Sequence, residues 1–255
     1  MPAANYLLNA LLSGTIILAV GLLPWLITAG LMQLASNSLR QSLARLLGDN
    51  AYIYLTAPGV AIHELSHAFF CLVFGHKIRE MKLFSPADDG TLGYVSHSYD
   101  PKNFYQRTGN FFIGTGPVWG GIFVLYLFSR ILLPETMLPF SGRIGNDLTA
   151  FLDGIFSISS WTNWKFYLWL YIALTVGSHI TLSKSDLKGA ADGLLILCVI
   201  VMLGCLVLVW CGDLETVIAE WLKNFFLGQV ALIGTIFCLL ILFCLILKLI
   251  PFKRN

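Results

Sequence analysis

The run LLILCVIVMLGCLVLVW at 194–210 carries no charged side chain and no proline, and it restricts the chain to a narrow class of folds. A helix rises about 1.5 Å per residue and a bilayer's hydrocarbon core is about 30 Å thick, so roughly 20 apolar residues make one crossing. Runs of this kind recur along the whole length. On that rule, spans are expected near 7–32, 51–75, 110–133, 166–183, 189–210 and 226–250. The fourth is short and close to the fifth, so five or seven crossings fit if those two are re-entrant. Charged residues make up 12% of the chain, about half the share of a soluble domain. The expected fold class is an all-α polytopic membrane protein with about six transmembrane helices, a single integral membrane domain over 1–255.

The first run has no basic start and is longer than a signal peptide's core, so it is read as a retained span. With the N-terminus inside, ten of the sixteen Lys and Arg fall on the inner side and six on the outer. That modest excess places both termini in the cytoplasm. The small size suggests a prokaryotic cell membrane. A formal charge of +2 excludes nucleic acid as an expected partner and leaves the lipid bilayer as the first one. The six cysteines lie in or at the ends of apolar runs without a CxxC pair, which suits packing better than a disulfide framework or a thiolate metal site.

Two connections break the apolar pattern. LASNSLRQSLARLLGDN, 34–50, has helical apolar spacing with arginines opposite, as in an interfacial helix or a short solvated connection. The segment 76–101 alternates in character, turns at ADDG and resumes, which predicts a hairpin-like surface element. Such a hairpin either caps the bundle or offers an edge to an extended peptide. His76 and His97 lie in this segment, where solvated or structural roles are expected.

The chemistry concentrates in GVAIHELSHAFFCLVFG, 59–75. His63, Glu64 and His67 spell HExxH, and positions i and i+4 share one face of a helix, so both imidazoles can reach one zinc ion. The glutamate beside the first histidine then takes a proton from a zinc-activated water. Ionisable groups at mid-span cost a few kcal/mol each and need a cavity or a partner. A proton relay, a transporter's ion site and an inactive protease relic are the competing readings. A catalytic zinc takes three protein ligands, and no third histidine follows, since the residue six beyond His67 is Val73. Three aspartates compete: Asp186 in SHITLSKSDLKGA, Asp192 in AADGLL and Asp153 in TAFLDGIFS. Asp186 is preferred because it sits directly between two apolar runs. His179 is a further candidate, either supporting a ligand or serving as one.

These motifs resemble the site-2-protease family of intramembrane zinc metalloproteases. The resemblance rests on AIHELSHAFFCLVFGHKI, a span bearing HExxH that ends at a glycine, and on GTGPVWGG at 114–121, similar to the family's glycine–proline motif. It covers roughly 50–195, the expected protease core. In the family the third ligand is an aspartate following a later span, and ITLSKSDLKG occupies the equivalent place, which is the stronger reason for Asp186. The family's Asn-x-x-Pro…Asp-Gly pattern is absent there, while Leu-Asp-Gly at 152–154 keeps Asp153 in competition. The asparagine often found after the glycine–proline motif is absent too. Plain close packing accounts for those glycines as well as function does, and Pro117 either kinks a helix or frees carbonyls near a cavity.

The resemblance implies one Zn2+ per chain on His63, His67 and Asp186, Glu64 as catalytic base, and a transmembrane or membrane-adjacent segment of another protein as substrate. Regulation through partners or short loops is expected, without an appended regulatory domain.

Overall fold

The computed structural model describes residues 3–134, 149, 152–211 and 233–250. It is mostly helical, with one two-stranded antiparallel hairpin. Helix α1 spans Ala3–Leu47, α2 Asp49–Leu55 and α3 Ala57–Val73. Strands β1 (Lys77–Lys82) and β2 (Tyr94–Ser98) follow, then α4 (Phe104–Gly114) and α5 (Gly116–Leu132). Short helical turns lead into α6 (Trp164–Gly177), then α7 (Lys184–Cys211) and α8 (Ile233–Leu249).

Among the described residues, Lys184–Val207 within α7 is the one helix long and apolar enough to cross a membrane, with a mean hydropathy of 2.6. The pair α4–α5 reaches that length only as a broken span, bent by 59°. The expected span 110–133 is therefore two helices that part at Thr115, with Pro117 in the first turn of the second. A proline there lacks the N–H that would continue the ladder, while its fixed φ suits a helix start. The expected span 51–75 is likewise divided at Thr56, ahead of Pro58. The expected spans 7–32 and 189–210 fall in α1 and α7, while α6 covers 166–183 only as far as Gly177. Positions 226–232 of the sixth lie outside the described residues.

One expectation changes shape. The stretch 34–50 is no separate interfacial element: through Leu47 it continues α1, and its apolar face is buried in protein. Met32, Ala35 and Leu39 join Val118, Leu125, Trp169, Val176, Ile236 and Leu240 in one core. Trp169 donates its indole N–H to Ser129 Oγ at 2.9 Å, which satisfies a buried polar group. Arg45 reaches the carbonyl of Leu247 at 3.2 Å, a basic side chain on a helix C-terminus.

The hairpin forms where the alternation predicts it. Ile78 pairs with His97 and Met81 with Val95, with a bulge between Ile78 and Glu80. In the connection, Gly90 has φ +86°, a backbone that L side chains rarely adopt, and Thr91 N donates to Asp89 Oδ1 at 2.9 Å. Arg79 Nε donates to Ser98 Oγ at 2.8 Å across the strands.

Helix α4 packs along α7, and α3 sits against α4, α5 and α6. The first contact is unusually close. A Cβ added at Gly193 would lie 2.9 Å from Thr108 O and closer still to Phe111 N, and one at Gly114 would meet Asp186 O and Ala190 N. Two helices thus touch backbone to backbone, and that contact brings the start of α7 to the middle of α3.

Candidate metal centre

His63 and His67 sit one helical turn apart on the buried side of α3, while Leu65, Phe69 and Leu72 are exposed on the others. The two Nε2 atoms are 3.2 Å apart. Asp186 completes a triangle, with Oδ1 3.4 Å from His67 Nε2 and Oδ2 3.9 Å from His63 Nε2. Of the three competing aspartates, Asp186 is the one the structure brings to the histidines.

The opposite ring nitrogens decide the chemistry. His63 Nδ1 lies 2.9 Å from the carbonyl of His179, and His67 Nδ1 lies 2.7 Å from that of Ile113. A carbonyl only accepts, so each Nδ1 carries the proton, and in the neutral rings both Nε2 atoms are bare lone pairs. Two lone pairs and a carboxylate then converge within 4.8 Å with no donor between them. That arrangement is repulsive unless a proton or a metal ion joins the three. Ligands held about 2.0–2.2 Å from a tetrahedral zinc stand about 3.3–3.6 Å apart, close to the separations found. The donor set fits the metal, and hydrogen bonds from the far nitrogens to carbonyls are the usual support of metal-binding histidines.

Both supporting carbonyls exist because helices stop. In an unbroken helix, Ile113 O would take the N–H of residue 117, but that residue is proline. His179 lies beyond the end of α6, where carbonyls have no partner within the helix. The ring of His179 is engaged elsewhere, with Nδ1 3.0 Å from Thr175 O and 3.1 Å from Ser178 Oγ. His179 thus meets His63 through its backbone carbonyl.

Asp186 is held by a reciprocal cap. Ser183 N donates to Asp186 Oδ2 at 2.8 Å, and Asp186 N donates to Ser183 Oγ at 3.1 Å, the capping-box pattern at a helix start. Asp192 does different work. It accepts from Arg107 at 3.1 Å, Asn110 at 2.8 Å and Tyr99 at 3.1 Å, tying α7 to α4 and to the end of β2. Asp153 is exposed, among residues that border a small pocket against α8 rather than the histidines.

Glu64 is 7% exposed and opens with His63, His67 and Asp186 onto a cavity of about 670 Å³. Residues 89–95, the end of the hairpin connection and the start of β2, form the facing wall. A Cβ on Gly93 would stand 2.9 Å from Glu64 Cγ, so the connection lies directly on the glutamate. In GTGPVWGG, Gly116 and Gly120 pack against Ser66, so close helix approach accounts for those two glycines.

A second group of ligand-type side chains lies nearby: Cys71, His76 and His97, their ligand atoms also within 4.8 Å of one another. The solvated or structural roles expected for the two histidines gave no hint of it. They are far apart in sequence, and the strand register alone brings them together. Compared with protein-family models, curated proteins and solved structures, the chain finds no match.

Proposed function

We propose that the chain is a membrane-embedded zinc endopeptidase, similar in chemistry to the site-2-protease family, in which His63, His67 and Asp186 would hold the metal. The observation that carries this reading is the convergence of two deprotonated Nε2 atoms and a carboxylate beside the glutamate of HExxH. When bound, zinc supplies Lewis acidity toward water and a carbonyl. The residues do the rest. His179 O and Ile113 O keep the imidazoles in one tautomer, so no proton competes for the ligand positions. Glu64, at the cavity wall, takes the proton from the attacking water and returns it to the leaving amine.

The substrate is a transmembrane or membrane-adjacent segment of another protein. Apolar side chains exposed on α3, α5 and α7, such as Phe69, Leu72, Phe123, Ile131 and Leu195, suit a lipid surround, and the cavity opens between α3, α4, the start of α7 and the hairpin. A helical substrate must unwind locally, because its own hydrogen bonds shield the scissile carbonyl. The wall at 89–95 supports a role in holding the unwound strand by backbone pairing. About six crossings with both termini in the cytoplasm remain the proposed topology.

The test is Glu64→Gln, assayed on tagged single-span proteins in co-reconstituted vesicles. Cleavage falls by roughly 10²–10⁴-fold, the usual contribution of a general base, while metal content stays at the wild-type value. Cleavage at the wild-type rate would overturn the mechanism.

A further inference from the structure

Beyond the HExxH centre, the base of the hairpin holds a set of donors that no step above uses. Cys71 lies near the end of α3 and is fully buried, and His76 in the turn that follows is 4% exposed. His97 is on β2, opposite Ile78 in the register, and lines the same cavity as Glu64. His76 Nε2 is 2.7 Å from Gln106 O, so that nitrogen carries the proton and Nδ1 is the lone pair. That lone pair faces His97 Nδ1 at 3.0 Å. The His76 ring is fixed from the side by Tyr99, nearly parallel at 5.0 Å between centroids.

We propose that Cys71, His76 and His97 form a second metal site, for a divalent ion of the zinc class, which ties strand β2 to the end of α3. The donor types suit such an ion, since thiolate and imidazole are its preferred ligands. The tautomer suits it as well: a carbonyl fixes the far nitrogen of His76, as around metal-binding histidines generally. Because His97 also borders the cavity, an ion here holds the 89–95 wall against Glu64. The site is thus a clasp for the hairpin, and its ion takes no part in hydrolysis.

The thiolate separates this site from the first, which has none. The full-length chain in detergent is stripped with chelator, loaded with Co2+ and read by absorption, and bound zinc is counted in parallel after reloading. A cobalt–thiolate charge-transfer band is expected in the wild type and in the His63→Ala/His67→Ala variant. The band is lost in Cys71→Ser and His97→Gln. Zinc falls from two equivalents in the wild type to one in each of these variants. A wild type that binds one equivalent and shows no thiolate band overturns the second site, and this readout needs no variant to fold. Failure of the HExxH reading looks different: the thiolate band persists while zinc does not respond to His63→Ala/His67→Ala.

Discussion

Pro117 has no N–H to give the carbonyl of Ile113, and His67 Nδ1 lies 2.7 Å from that oxygen. One residue therefore breaks a helix by 59° and orients an imidazole on another helix. The glycine–proline stretch that accompanies HExxH gains a physical purpose: its glycines let α5 close on α3 at Ser66, and its proline releases the acceptor.

Pro117→Ala restores an N–H at position 117 that competes for Ile113 O. His67 then loses its fixed tautomer, and zinc affinity falls by about 10–100-fold, the range for loss of a partner behind a metal-binding histidine. Thermal stability is unchanged or slightly raised, because alanine is a better helix former than proline. Zinc titration alongside a melting curve checks both.

Asp186→Ala removes a direct donor, so its zinc affinity falls by more than the roughly 10–100-fold expected for an indirect one. Asp153→Ala leaves affinity unchanged. Asp192→Ala also keeps its zinc but loses the partly exposed Arg107 pair, worth about 1 kcal/mol or less, and leaves the buried Asn110 amide unpartnered, at about 1–3 kcal/mol more. Zinc counting on the three variants separates them, and full zinc in Asp186→Ala contradicts the assignment.

Much of this centre was legible in the sequence, for a definable reason. HExxH is local, because the helical repeat alone puts His63 and His67 on one face. Asp186 is favoured by its place between two apolar runs, but position alone leaves Asp192 and Asp153 open, and the stronger reason is the resemblance. The hairpin shows in alternation and in ADDG. The supports were not legible. Nothing near Ile113 or His179 in sequence says that a carbonyl will face an imidazole, since that depends on how α4 and α6 end against α3. The extension of α1 through 34–47 was hidden because buried and lipid-facing apolar stripes have the same spacing. Cys71 and His76 meet where α3 ends, but His97 joins them only through the strand register, which one residue of slip would undo.

Gly193→Leu places a side chain where Phe111 N and Thr108 O already stand. Helices α4 and α7 must separate, which carries Asp186 away from His67. Overpacking of this kind costs about 1–3 kcal/mol, and zinc affinity drops with it. Gly204→Leu, where a Cβ meets nothing within 4 Å, is the control on the same helix away from the cavity and changes neither value. Melting temperature and zinc affinity, measured on both variants, distinguish close packing from a general intolerance of bulk in α7.

Gly93→Ala tests the wall across from the glutamate. Its Cβ would lie 2.8 Å from Lys82 O, 2.9 Å from Leu83 O and 2.9 Å from Glu64 Cγ, so the connection must move off the glutamate or push it aside. The donors of the HExxH centre lie on α3 and α7 and are untouched, so the zinc of that centre is kept. Glu64 and the substrate strand lose their mutual placement, and a displacement of about 1 Å is enough to cost on the order of 10²-fold in rate. Cleavage down by that factor with that zinc kept supports a positioning role for residues 89–95. Unchanged cleavage would mean that the strand is held elsewhere along the cavity.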